Sequence, residues 1–200
     1  MTPQPPLGAR TATEERVTRE TRIRVQVDLD GSGAADVDVP LPFFRHMLES
    51  LIRYSGMDVT LHGQGDVEVD AHHLVEDCGL ALGAAIGRAL GDRAGIRRFG
   101  EAHAPLDESL VRCVLDLSNR PHLEWEMTPL HGRINDFDVE VLHEFVQALT
   151  QTAGISLHLD CLRGANLHHV AEAAFKALGL ALRQALSIVG GDVPSTKGVL

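Results

Sequence analysis

Aromatic side chains are scarce. They make up 4% of the 200 residues: six Phe, one Tyr and one Trp. A core must therefore be filled by Leu, Val, Ile and Ala, and the hydrophobic share of 44% is enough for a sizeable one. Cysteine is equally sparse. Cys78, Cys113 and Cys161 lack the spacing of a thiolate metal site, and their odd number points to buried free thiols rather than a disulfide framework. No apolar run approaches the roughly 18 residues of a membrane span. The first residues do not read as a secretory signal, so a cytoplasmic, membrane-independent protein is expected. Basic charge is outnumbered, with 18 Lys and Arg against 28 Asp and Glu, for a net charge of −10. That balance argues against nucleic acid as a partner and leaves room for a local basic pocket.

Histidine, by contrast, is plentiful and patterned. His72-His73-Leu74-Val75-Glu76 returns as His168-His169-Val170-Ala171-Glu172, each copy on a stretch that reads as a helix. Imidazole and carboxylate are the usual ligands of divalent transition metals. Residues four apart share a helix face, so His72 with Glu76, and His168 with Glu172, can grip one ion each. Adjacent histidines diverge by about 100° on a helix. His73 and His169 are therefore expected to serve a second ion, the two repeats exchanging a ligand. The repeat extends beyond the motif at a spacing of 96 residues: Leu61-His62 with Leu157-His158, Asp70 with Asn166, Leu82-Gly83 with Leu178-Gly179, and Ala85 with Ala181. Asp70 and Asn166 are good helix N-caps, which puts both His pairs in a first helical turn, where imidazole is held neutral more easily. His46 and His143 match at a spacing of 97. Six His and two Glu then suffice for two ions.

The chain pattern predicts an α+β fold made of two internally duplicated βαβ-type half-domains, with helices on one face of each sheet. Residues 1–15 form a disordered tail, 16–105 the first repeat, 106–190 the second, and 191–200 a C-terminal tail. Strands are expected at Arg22–Leu29, Ala35–Val39 (a hairpin partner of the first, after Asp30-Gly31-Ser32-Gly33), Asp58–His62, Asp66–Val69, Leu110–Leu117, His122–Glu126 and Ile155–Leu162. Helices are expected at Phe43–Tyr54, Ala71–Leu90, Asp138–Thr152 and Leu167–Val189. His62 and His158 read as strand histidines, and His103, His122 and His131 as surface ones. Asp107 and Glu108 either support a site from behind or form a turn. On residue types alone, the His/Glu set suits a two-metal enzyme, such as a hydrolase with a metal-bound hydroxide, or a metal-holding scaffold.

Further segments narrow the choice. Arg16-Val17-Thr18-Arg19-Glu20-Thr21, Phe44-x-His46-Met47-Leu48, Gly65-Asp66-x-x-x-Asp70-x-His72-His73-x-x-Glu76-Asp77, Gly95-Ile96-x-Arg98-Phe99-Gly100, Leu106-Asp107-Glu108, Asp116-Leu117-Ser118-x-Arg120-Pro121, Gly164-x-Asn166-x-His168-His169-x-x-Glu172-x-x-Phe175-Lys176 and Ser195-Thr196-Lys197-Gly198 together resemble the imidazoleglycerol-phosphate dehydratase family over residues 16–200. Arg45 and Asn119 depart from the family, which usually has Asp and Gly there. The resemblance implies half-domains like the second domain of ribosomal protein S5. It also implies a shell of twenty-four subunits with active sites between them, and two Mn²⁺ ions per subunit held by His46, His72, His73, Glu76, His143, His168, His169 and Glu172. The implied reaction dehydrates D-erythro-imidazoleglycerol phosphate to imidazole acetol phosphate in L-histidine biosynthesis. Metal at the substrate's imidazole would drive electrons toward C3 to expel its hydroxyl, after which a carboxylate removes the C2 proton. Glu20 carries over as the acid/base, with Glu172 a ligand that shares proton transfer. Arg98, Arg120, Lys176, Ser195 and Lys197 carry over as phosphate-binding groups.

Overall fold

The structure, a computed structural model, describes residues 9–200; most of the expected tail, residues 1–8, lies outside the described residues. The first sheet contains β1 (Thr11–Val17), β2 (Thr21–Asp28), β3 (Ala35–Asp38) and β4 (Asp58–Gly65), with α1 (Pro42–Ser55) and α2 (His72–Leu90) following in the chain. The second sheet contains β5 (Phe99–Leu106), β6 (Ser109–Asp116), β7 (His122–Glu126) and β10 (Ser156–Arg163). Its helices are α3 (Val141–Ala153) and α4 (Leu167–Leu186), and a two-stranded ribbon, β8 (Arg133–Ile134) with β9 (Phe137–Asp138), precedes α3. The sheets have the same order, β1-β2-β4-β3 and β5-β6-β10-β7. In each, the last strand inserts between the second and third, antiparallel to one and parallel to the other. The duplication seen in the sequence is a duplication of topology.

The helices lie between the sheets. α2 rests on β1 and β2 and packs on α3; α4 rests on β5 and β6 and packs on α1. The two most extensive helix–helix contacts thus join one repeat to the other, and the buried side chains form one shared core. Strand β2 alternates buried Ile23, Val25 and Val27 with exposed polar residues, the signature of a sheet covered on one face. No described helix is long and apolar enough to cross a membrane.

The matched glycines mark the helix crossings. A Cβ on Gly83 would stand 2.5 Å from the Leu149 carbonyl oxygen, and one on Gly179 would stand 2.7 Å from that of Leu51. Both helix pairs therefore approach backbone to backbone. Gly83→Ala should push α2 off α3 and destabilise the chain by about 1–3 kcal/mol, measurable as a lowered denaturant midpoint. An unchanged midpoint would mean that the crossing relaxes freely.

Several expectations need correction. The tail does not run to residue 15, because Thr11–Val17 is an edge strand paired with β2. Strand β5 was not foreseen; it pairs with β6, so the sheets divide the chain before Phe99 rather than between 105 and 106. Ala35–Asp38 is no hairpin partner of β2 but pairs in parallel with β4. Residues 66–69 form a turn instead of a second strand. Cys78 and Cys113 are buried free thiols, whereas Cys161 is partly exposed. Asn119 adopts φ 59°, a left-handed conformation that Asn tolerates more readily than most residues with a side chain, and so stands where glycine is usual. Its Oδ1 accepts from Arg93, which also bonds the Ala153 and Gly154 carbonyls.

Candidate metal centre

Both His pairs lie in the first turn of a helix, although only α4 has its expected N-cap, Asn166; the N-cap of α2 is Ala71, one residue after Asp70. Asp70 Oδ1 accepts from the His72 backbone N–H at 2.8 Å. Asn166 Oδ1 accepts from those of His168 and His169 at 2.9 and 3.3 Å. The paired rings diverge as helix geometry demands, with interplanar angles of 89° for His72 and His73 and 81° for His168 and His169.

One set of ligands is assembled. His46, on α1, reaches across to α4: its Nε2 is 3.2 Å from Glu172 Oε2, and His168 Nε2 lies 3.1 Å from the same oxygen. Among the described residues, these three alone bring ligand atoms within 4.8 Å of one another. Two imidazoles and a carboxylate around one point are a fitting donor set for a divalent transition metal. The histidine that crosses between repeats within the chain is thus His46, a consequence of α1 packing on α4. Lys176 Nζ lies 2.7 Å from the other Glu172 oxygen. Burial opposes the charge on Glu172, yet hydrogen bonds from Lys176, His46 and His168 outweigh it and hold the carboxyl at about 2.

The matching set in the other half is more open. His72 Nε2 and Glu76 Oε2 are 3.9 Å apart on one face of α2. His143, on the neighbouring α3, turns its Nδ1 to Glu144 at 3.0 Å and meets the Trp125 ring edge-on. His73 and His169 point away from these sets. His73 Nδ1 is 3.1 Å from Asp66 Oδ2 and 4.0 Å from Glu20 Oε2. His169 Nδ1 is 2.7 Å from Glu108 Oε2. Hydrogen bonding to Asp66 and to Glu108 raises the pKa of His73 and His169 respectively. The expectation that a helix N-terminus keeps these rings neutral therefore fails here: a carboxylate at hydrogen-bond distance is the stronger neighbour.

Of the basic groups, only Lys176 is at this centre. Arg98 binds Asp116 through two nitrogens, at 2.6 and 2.9 Å, and donates to the Pro194 carbonyl, tying down the C-terminal segment that holds Ser195 and Lys197. Arg120 is exposed, 4.0 Å from Asp116. Arg45 pairs loosely with Glu49 and leaves His46 free. Glu108, expected either to support a site from behind or to form a turn, does both, whereas Asp66 carries no signal in the sequence beyond its place inside a motif.

A model of the family described as Imidazoleglycerol-phosphate dehydratase matches residues 39–182. A protein of that name from Bordetella petrii is 52% identical over 194 residues, covering 96% of this chain and 100% of its own. The chain belongs to the imidazoleglycerol-phosphate dehydratase family. A Halorhodospira halophila relative of the same name is also 52% identical, over 97% of this chain and its own full length. The crystal structure of imidazoleglycerol-phosphate dehydratase from Staphylococcus aureus superposes with a TM-score of 0.81 at 30% identity, over 90% of this chain and 99% of that one. The Pyrococcus furiosus structure gives 0.79 at 35% identity, over 93% and 99%. The dehydratase fold, with its duplicated half-domains, is therefore that of this chain. The assembled His46–His168–Glu172 group lies on helices within the span matched by the family model.

Proposed function

We propose that the chain dehydrates D-erythro-imidazoleglycerol phosphate to imidazole acetol phosphate and water, in L-histidine biosynthesis in the cytoplasm, with two Mn²⁺ ions per subunit. The observation that carries the metal-assisted reading is the convergence of His46, His168 and Glu172 within 4.8 Å in a chain of this family. Pseudo-symmetry assigns His72, Glu76 and His143 to the second ion. His73 and His169, turned outward from both sets, would complete the shells from one subunit to another. Bound metal supplies Lewis-acid polarisation of the substrate's imidazole ring.

The chain's own groups do the rest. Glu20, in the turn between β1 and β2, is largely exposed and stands near His73, free to reach a substrate. In this reading the C3 hydroxyl takes a proton from a protonated acid group and departs as water, the Glu20 carboxylate then takes the proton from C2, and the resulting enol becomes the ketone by gaining a proton at C3 and losing the one on its oxygen. Lys176 keeps Glu172 ionised for ligation, so that Glu172 shares proton transfer only secondarily. Arg98, Arg120, Ser195 and Lys197, with Lys176, would hold the phosphate.

The position of Arg98, which ties down the segment holding Ser195 and Lys197, favours active sites shared between subunits. Arg98 N–H donates to the Ala185 carbonyl at the end of α4, while His168 opens that helix. At ~1.5 Å of rise per residue the two stations are about 25 Å apart. A substrate of a dozen or so heavy atoms cannot span them. If metal and phosphate groups serve one substrate, different copies contribute them, which agrees with a twenty-four-subunit shell.

Ketone formation from imidazoleglycerol phosphate, followed before and after chelation and again after Mn²⁺ return, tests the assignment. Turnover should vanish on chelation and come back with the metal, and elemental analysis should find about two ions per chain. Because ions bridging chains add their binding free energy to assembly, chelation should also shrink the particle in light scattering. Saturation at one ion per chain would sink the two-ion arrangement.

A further inference from the structure

The two repeats use the same turn for different purposes. Glu20 is the residue immediately before β2, and Glu108 the residue immediately before β6. Each lies in the connection between the first and second strands of its sheet, beside the outward-facing histidine of its own repeat. Their distances differ. Glu108 Oε2 is 2.7 Å from His169 Nδ1, whereas Glu20 Oε2 is 4.0 Å from His73 Nδ1. Strand pairing explains part of this. The β5–β6 ladder runs to Leu106 opposite Ser109, leaving only Asp107-Glu108 as the turn. The β1–β2 ladder stops at Val17 opposite Arg22, so Glu20 sits on a longer connection. Glu108 is fixed further, since its Oε1 accepts from the backbone N–H groups of Ala165 and Asn166 and from Ser109 Oγ.

The place that Glu20 does not take is filled. Asp66 holds His73 Nδ1 with both oxygens, at 3.1 and 3.3 Å. At the repeat spacing of 96, the counterpart of Asp66 is Leu162, an exposed side chain with no acceptor to offer. Each outward histidine therefore has one carboxylate on Nδ1, but from different elements: the β4–α2 connection in the first repeat, the β5–β6 turn in the second. A carboxylate accepting from Nδ1–H puts the ring lone pair on Nε2 and fixes its direction, which is how a ligand histidine is prepared for a metal.

We propose that Asp66 and Glu108 are positioning residues that set the tautomer and orientation of His73 and His169, and that Asp66, absent from the second repeat, is what releases Glu20 for proton transfer. The two turn carboxylates of the duplicated sheets thus serve different ends, one orienting a ligand and one serving chemistry. This rests on the reading of His73 and His169 as metal ligands.

The test measures Mn²⁺ affinity of the full chain against a chromogenic chelator. Glu108→Ala should weaken binding on the order of 10- to 100-fold. In the metal-free protein, above the imidazole pKa, the ¹⁵N shifts of His169 should move from a proton on Nδ1 to a mixed tautomer, which a merely structural role for Glu108 would not cause. Asp66→Leu recreates the second repeat in the first. Glu20 should then close on His73, keeping Mn²⁺ affinity within several-fold of wild type while turnover falls. Adding Glu20→Gln to Asp66→Leu should bring the full 10- to 100-fold loss of affinity, although Glu20→Gln alone leaves affinity unchanged. Wild-type affinity and tautomer in Glu108→Ala, with His169→Ala losing metal, would overturn the positioning role and leave the ligand reading standing. A His169→Ala protein that binds Mn²⁺ like wild type would overturn both. Equal affinities for Asp66→Leu and the double variant would show that Glu20 is not held off by Asp66.

Discussion

Glu20→Gln is expected to lower kcat on the order of 10²-fold or more while leaving metal content and particle size unchanged. The substitution keeps the shape and removes the base. Among the described residues, the Glu20 carboxylate makes no contact at hydrogen-bond distance, its nearest ionic neighbour being His73 at 4.0 Å. Its loss therefore leaves no buried group unpaired. The turn that carries it is held independently. Thr18 Oγ1 accepts from the backbone N–H groups of Glu20 and Thr21. Thr21 and Arg16 both donate to the buried Asp77, which sits on α2 next to Glu76. This network fastens the β1–β2 turn to the helix bearing His72 and His73 whatever the side chain at position 20. Near-normal turnover in the variant would refute the acid/base assignment, because nothing structural is available to mask an effect.

Glu172→Gln should be more damaging and of a different kind. Glu172 is the common partner of His46, His168 and Lys176. A neutral amide offers a far weaker metal ligand and leaves the half-buried Lys176 ammonium without its counter-charge. Turnover is expected to fall on the order of 10²- to 10⁴-fold, and elemental analysis should show about one ion lost per chain. A variant that keeps its full metal complement would mean that the histidines alone hold the ion. Acid should act on the same centre. The Glu172 carboxyl lies at about 2, below the ordinary 4.5, so its contribution to stability is present above pH 4.5 and is lost only as pH falls through about 2. The outward histidines fail first. Their pKa values are raised in the metal-free chain, and so protons compete with the metal at a higher pH than an ordinary imidazole near ~6.5 would allow. In the metal-free protein these raised values stabilise the fold fully below the unfolded imidazole pKa, and that contribution fades as pH rises through the folded value. Metal release below neutrality should accordingly precede unfolding, with particle size falling while circular dichroism is retained.

Much of this molecule was legible in one dimension. The helices α1 to α4 announce themselves through amphipathic spacing and through Asp70, Asn166 and the glycines that follow α1 and α3, all of which act within a few residues of where they stand. The doubled His-His-x-x-Glu motif survives as a sequence repeat because ligand identity and helical spacing are both local. Strands β1 and β5 were hidden for a physical reason. The inward residues of β5 are Gly100, Ala102 and Ala104, kept small because α4 lies so close that a Cβ on Gly100 would meet the Ala181 carbonyl oxygen. The inward face of β1 includes Glu14 and Arg16, paired with Arg88 and Asp77 on α2. Alternation of large apolar side chains is then absent, and period-two reading has nothing to register.

The sequence by itself determined the candidate donor side chains, their duplication and the family. Only tertiary structure decided who meets whom. That His46 belongs with His168 and Glu172, across 126 residues of chain, follows from α1 packing on α4, a contact between repeats that spacing cannot encode. That Glu108 orients a histidine while Glu20 stands clear follows from how far each strand ladder runs toward its turn, and from Asp66 arriving out of another connection. Local periodicities specify elements because backbone geometry repeats within a few residues. Pairings between distant elements arise when buried faces and close-packed glycines settle against one another in three dimensions.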